Sequence, residues 1–113
     1  MRNSQQPFPI EVRTGWGDYS PALRHHASQR VAARFAEFSS RIRTVIVRCS
    51  DDDPQTGARR RCDIEVLTTH AGPITAAAAG EDLFELIDQA SKTAAGILRQ
   101  RTFMHDDVPR RIA

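Results

Sequence analysis

At 113 residues the chain has the size of one domain, and with 40% hydrophobic residues it can build a core without disulfide staples. Two cysteines, Cys49 and Cys62, are too few for a secreted disulfide scaffold and lack the close pairing of a zinc knuckle. No run approaches the ~20 apolar residues needed to cross a bilayer and no positively charged start leads into an apolar stretch, so a cytoplasmic protein without a membrane partner is expected. Net charge is only +2, yet fifteen of the sixteen cations are arginine and Lys92 is the single lysine. Guanidinium groups grip phosphate with two bonds at once and stack on bases, which ammonium groups do not. Acidic charge gathers in Asp51-Asp52-Asp53 and Glu81-Asp82, leaving basic stretches elsewhere.

In chain order, residues 1–8 are polar with Pro7 and read as a flexible leader. Residues 9–14 (PIEVRT) alternate, Ile10 and Val12 against Glu11 and Arg13, the period of a half-buried strand. Gly15-Trp16-Gly17-Asp18 is a turn, with Trp16 read as a packing residue. Ser20 is placed to cap a helix, and Pro21 at its first position gives up an amide that would be unpaired anyway. Leu23, Ala27, Val31 and Phe38 then fall on one helical stripe with Phe35 at its edge. Arg24 and Arg30 flank the stripe, and Arg34 snorkels outward from its apolar side.

Residues 43–49 (RTVIVRC) predict a strand with Val45, Val47 and Cys49 on one face and Thr44, Ile46 and Arg48 on the other. Residues 51–60 hold Pro54 and Gly57 and read as a hairpin loop. Residues 61–68 return with Cys62, Ile64 and Val66 inward. His70-Ala71-Gly72-Pro73 makes the next turn, and residues 74–79 form a short strand of small residues. The last helix starts at Asp82, where Glu85 completes a capping-box spacing. Leu83, Ile87, Ala90, Ala94, Ile97 and Leu98 make its inner stripe, with Lys92 and Arg99 pointing the other way into solvent. Phe84 reads as core together with Phe35 and Phe38. Residues 104–113 lack a period and read as a flexible tail.

The order β-α-β-β-β-α predicts an α+β domain over residues 9–103. Its four-stranded mixed sheet has the first two strands parallel and two helices packed on one face.

Two segments carry a family resemblance. The helix opening Tyr19-Ser20-Pro21-Ala22-Leu23-Arg24 and the strand-to-helix joint Ile74-Thr75-Ala76-Ala77-Ala78-Ala79-Gly80-Glu81-Asp82-Leu83-Phe84-Glu85-Leu86-Ile87-Asp88 resemble those of the hibernation-promoting factor and ribosome-associated inhibitor family, in its short form. The resemblance spans about residues 8 to 101. It implies a non-enzymatic factor that binds ribosomal RNA of the small subunit, in the channel of messenger and transfer RNA, during stress or stationary phase. The family's second helix carries a Lys-x-x-Arg pair in its middle; here those positions are Thr93 and Gly96, with Lys92 and Arg99 as the nearby substitutes.

The cations placed to meet phosphate are Arg24, Arg30 and Arg34 on the first helix, Arg41 and Arg43 at the second strand, and Lys92 and Arg99 on the last helix. Solvated surface is the ordinary fate of each such residue taken singly. Arg59-Arg60-Arg61 reads as a counterweight to the three aspartates across the hairpin. Adjacent His25 and His26 diverge by about 100° on a helix and make poor joint metal ligands. The two cysteines read as buried thiols. No cofactor, metal or small-molecule substrate is expected, and the chain is expected to act as a monomer. A double-stranded-RNA-binding module is the main alternative, and a small enzyme using His25, His26 or Cys49 a lesser one.

Overall fold

The computed structural model describes residues 8–14, 21–51, 59–69 and 71–112, with side chains described up to Arg101. The turn at Gly15–Asp18 with Trp16, the Ser20 cap, His70 and the side chains of the tail lie outside the described residues. So do residues 1–7 of the leader and 52–58 of the hairpin loop.

The elements are β1 (Ile10–Thr14), α1 (Pro21–Arg34), a 3₁₀ segment (Ala36–Arg41), β2 (Ile42–Asp51), β3 (Arg60–Thr68), β4 (Ile74–Gly80) and α2 (Leu83–Ile112). They form an α+β fold with a four-stranded mixed sheet in the order β1-β2-β3-β4. β1 runs parallel to β2, and the other pairs are antiparallel. Val12, Val45, Val47, Cys49, Cys62, Ile64 and Val66 turn to the helices and are buried, as the alternation requires. Leu23, Ala27 and Val31 of α1 and Ile87, Ala90, Ala94 and Leu98 of α2 close the same core.

Several expectations change. Phe8, assigned to the leader, is 4% exposed and part of the core. The Pro9 carbonyl accepts from Val45 N–H and Thr44 Oγ1, which ties the chain down just before β1. α1 stops at Arg34, so Phe38 reaches the core from the 3₁₀ segment instead of a continuous helix; the Phe38 amide donates to Phe35 O. Phe84 is 40% exposed and lies outside the core. The reason is angular: Phe84 sits on the flank of α2 that abuts α1, where the His26 ring meets it edge-on at 4.8 Å. Leu86, Ser91 and Ala95 join the buried set on α2. Ser91 is tolerated there because its hydroxyl donates to Asp88 O one turn back.

Asp82 caps α2 by accepting from the Phe84 amide at 3.0 Å. Downstream the backbone stays helical to Ile112, past Phe103, since extending an existing helix is far easier than nucleating one. Between β3 and β4, Thr68 Oγ1 accepts from Ala71 N–H and donates to Ala71 O, closing the turn.

Candidate nucleic-acid interface

The helix-free face of the sheet carries Glu11 and Arg13 on β1, Ile46 and Arg48 on β2, and Arg61, Asp63 and Glu65 on β3. Its arginines are matched with carboxylates on the same face. Arg13 Nε donates to Glu11 at 2.7 Å, Arg48 to Glu65 at 3.2 Å, and Arg61 to Asp63 at about the same distance as the latter, 3.0 Å. The Arg13 guanidinium holds the Glu11 carboxyl below its ordinary pKa, chiefly through that hydrogen bond. Such a face is close to neutral in sum and offers phosphate little that is not already taken.

A second set of arginines gathers at the end of the sheet where β2 and β4 begin. α1 ends there at Arg34, the 3₁₀ segment ends at Arg41, and β2 opens with Arg43 at an irregularity between Ile42 and Thr44. The Arg41 carbonyl accepts from Thr69 N–H, fixing this corner to the end of β3. α2 returns to the same end with Arg99 and Arg101, and Arg101 donates to the Pro73 carbonyl just before β4. Arg99 reaches Glu37 at 3.4 Å and lies over the Phe38 ring at 5.5 Å. It is exposed, as the helical wheel requires, and is seated against the 3₁₀ segment. Cation–π seating of this kind holds a guanidinium in place while leaving its edge open to a phosphate.

Four of the seven expected residues (Arg34, Arg41, Arg43 and Arg99) thus come together at one end, and Arg101 joins them. The sequence reading missed Arg101, because residues two apart on a helix diverge by about 200° and nothing local ties it to Arg99. The other three stand apart. Arg24 is exposed near the start of α1, and Lys92 is exposed on the outer side of α2. Arg30 leans on Asp88 of α2, its Nε 3.4 Å from Oδ1, and His26 Nε2 stands equally close to the same oxygen. Across the hairpin Arg60 approaches Asp51 at 3.7 Å, in line with the expected counterweight; Asp52 and Asp53 lie outside the described residues.

Cys49 and Cys62 face each other across β2 and β3, both buried and free. Their shared hydrogen bond and their burial push the Cys62 thiol well above its ordinary pKa, so it is held protonated and unreactive. Among the described residues no group of three or more His, Cys, Asp or Glu side chains could hold a metal ion. No described helix is long and apolar enough to cross a membrane.

No family model and no curated protein matches the chain. Solved structures do. A ribosomal subunit interface protein from Coxiella burnetii superposes with a TM-score of 0.70 at 18% identity, covering 82% of this chain and 96% of the other. The N-terminal domain of Protein Y from Thermus thermophilus gives 0.67 at 18% identity, covering 81% and 97%. At this identity the likeness establishes a shared fold, the one that the two sequence segments implied.

Proposed function

We propose that this chain binds the small ribosomal subunit through its arginine-rich end, contacting ribosomal RNA in the channel of messenger and transfer RNA and holding the ribosome idle under stress or in stationary phase. The observation that carries this reading is the convergence of Arg34, Arg41, Arg43, Arg99 and Arg101 from four separate segments at one end of the molecule. RNA in its helical parts presents dense phosphate and few readable base edges, so a rigidly spaced set of guanidinium groups is the matching surface. The fold shared with a ribosomal subunit interface protein and with Protein Y supports the same partner. No bond needs to be made or broken: a monomer seated in the channel excludes the other ligands by occupancy. Arg24, Arg30 and Lys92 extend the contact along the helices, with Arg30 shared between Asp88 and the RNA.

Cosedimentation with purified small subunits across a salt series tests this directly, with free RNA duplex as the comparison. Affinity for subunits is expected to fall steeply with salt, by a log–log slope of roughly 0.7 to 0.9 for each phosphate neutralised. Equal or better binding to free duplex would assign the chain to generic double-stranded-RNA recognition, and a slope near zero would remove the arginines from the interface.

A further inference from the structure

The strand order leaves β1 and β4 as the two margins of the sheet. β1 is short, and its Glu11–Arg13 ion pair guards it, a common protection against unwanted strand pairing. β4 has no such guard. Its seven residues, ITAAAAG, include no charge and no proline, and its register with β3 runs unbroken from Arg60↔Gly80 to Val66↔Ile74. Among the described residues its ladder is satisfied on the β3 side alone, so the outer backbone groups present a free row of donors and acceptors.

We propose that two free copies of this chain pair through β4, antiparallel about a two-fold axis centred on Ala77, so that two sheets become one. This goes beyond the ribosomal reading and does not depend on it. It departs from the expectation of a monomer.

Charge selects this arrangement. Glu81 and Asp82, both exposed, follow β4, whereas Arg101 is bonded to the Pro73 carbonyl just ahead of it. An antiparallel pairing centred on Ala77 sets Pro73 of one copy opposite Glu81 of the other. Arg101 then meets the acidic pair at both ends of the ladder. A parallel pairing would set like charges together. The two-fold axis stands perpendicular to the sheet, so all four helices stay on one face.

The helical layer accommodates the partner as well. Leu86 of α2 lies against β4, since a Cβ built on Gly80 would stand 3.2 Å from Leu86 Cδ2. Thr93 and Gln100 follow Leu86 at intervals of seven and so lie on the same flank, away from α1. Thr93 and Gln100, with the neighbouring Gln89 and Gly96, are exposed and uncharged, and a Cβ added at Gly96 would meet nothing within 4 Å. α2 packs over β3 and β4, so its copy across the axis would lie about 9.6 Å away, which matches the usual 8–10 Å between packed helices. Two α2 helices therefore fit side by side across the axis, with Thr93 and Gly96 small enough for close approach.

Sedimentation equilibrium of the full chain over a wide concentration range tests the proposal. The wild-type mass is expected to rise from one chain to two, whereas Ala77→Asp, an exposed position that faces itself across the axis, should remain single while keeping its circular dichroism. Thr93→Lys provides a second, helix-borne disruption that leaves the sheet untouched. Glu81→Arg and Arg101→Glu should each weaken pairing about tenfold, because symmetry breaks two contacts at once, and the double reversal should regain most of the loss. A chain that stays monomeric at every concentration overturns the proposal, whatever else its β4 edge binds. Undiminished pairing in folded Ala77→Asp, or a double reversal no better than either single change, overturns it equally.

Discussion

The helix-free sheet face and the arginine-rich end use the same residue type to opposite effect. On the sheet face, Arg13, Arg48 and Arg61 each have a carboxylate within hydrogen-bond reach, on the same strand or the neighbouring one. At the arginine-rich end the cations come from four segments, Arg99 resting on Phe38 and a mostly exposed Glu37 and Arg101 donating to the Pro73 carbonyl. Counting arginines therefore says little about where a polyanion docks. What matters is which guanidinium groups the fold gathers from separate segments and which it matches with a carboxylate on the same sheet face.

The sharpest contrast comes from removing each set. Replacing Arg34, Arg41, Arg43 and Arg101 by glutamine should nearly abolish subunit binding and lower the salt slope by about three. Replacing Arg13, Arg48 and Arg61 should leave both unchanged, as read by cosedimentation. If the two sets prove equivalent, the distinction between paired and convergent arginines is wrong.

A change in the shared core should separate stability from binding. Cys49→Ser and Cys62→Ser each place a hydroxyl in an apolar, fully buried site, at a cost of roughly 1–3 kcal/mol. Denaturant titration is expected to show that loss, while the folded fraction binds subunits with unchanged affinity.

On the second helix, Lys92→Ala with Arg99→Ala should weaken binding by about 1–2 kcal/mol, the loss of charge-assisted hydrogen bonds to phosphate. A smaller loss of stability, on the order of 0.5 kcal/mol, should accompany it from the Arg99–Phe38 contact. Wild-type affinity in this variant would assign the whole interaction to Arg101 and the arginines at the start of β2 and the end of α1.

The reverse change, Thr93→Lys with Gly96→Arg, should tighten subunit binding. It should also raise stability by up to about 1 kcal/mol, because a helix-interior glycine with open space around it is replaced. The same variant should abolish pairing through β4, which makes it a single probe of both surfaces. Smallest of all, Arg48→Gln should cost under about 1 kcal/mol in thermal unfolding, the usual worth of an ion pair that is partly solvated on both sides.

Strand parity and the start of α2 were legible in the sequence because each depends on neighbours a few residues away. Val45, Val47 and Cys49 alternate with Ile46 and Arg48 wherever the strand lies, and Asp82 can cap only the amides that follow it. Phe8 and Phe84 depart from expectation for one common reason. Helical or strand periodicity assigns a residue to a face but does not say what packs beside that face. Burial of Phe8 depends on Pro9 being held by Val45 and Thr44, and exposure of Phe84 on how α1 lies along α2. The gathering of Arg34, Arg41, Arg43, Arg99 and Arg101 likewise joins positions up to 67 residues apart in number. Local chemistry thus determined which residues could carry charge to a surface. Tertiary packing decided which of them meet there, because only the return of α2 to the start of β2 brings those segments to one end.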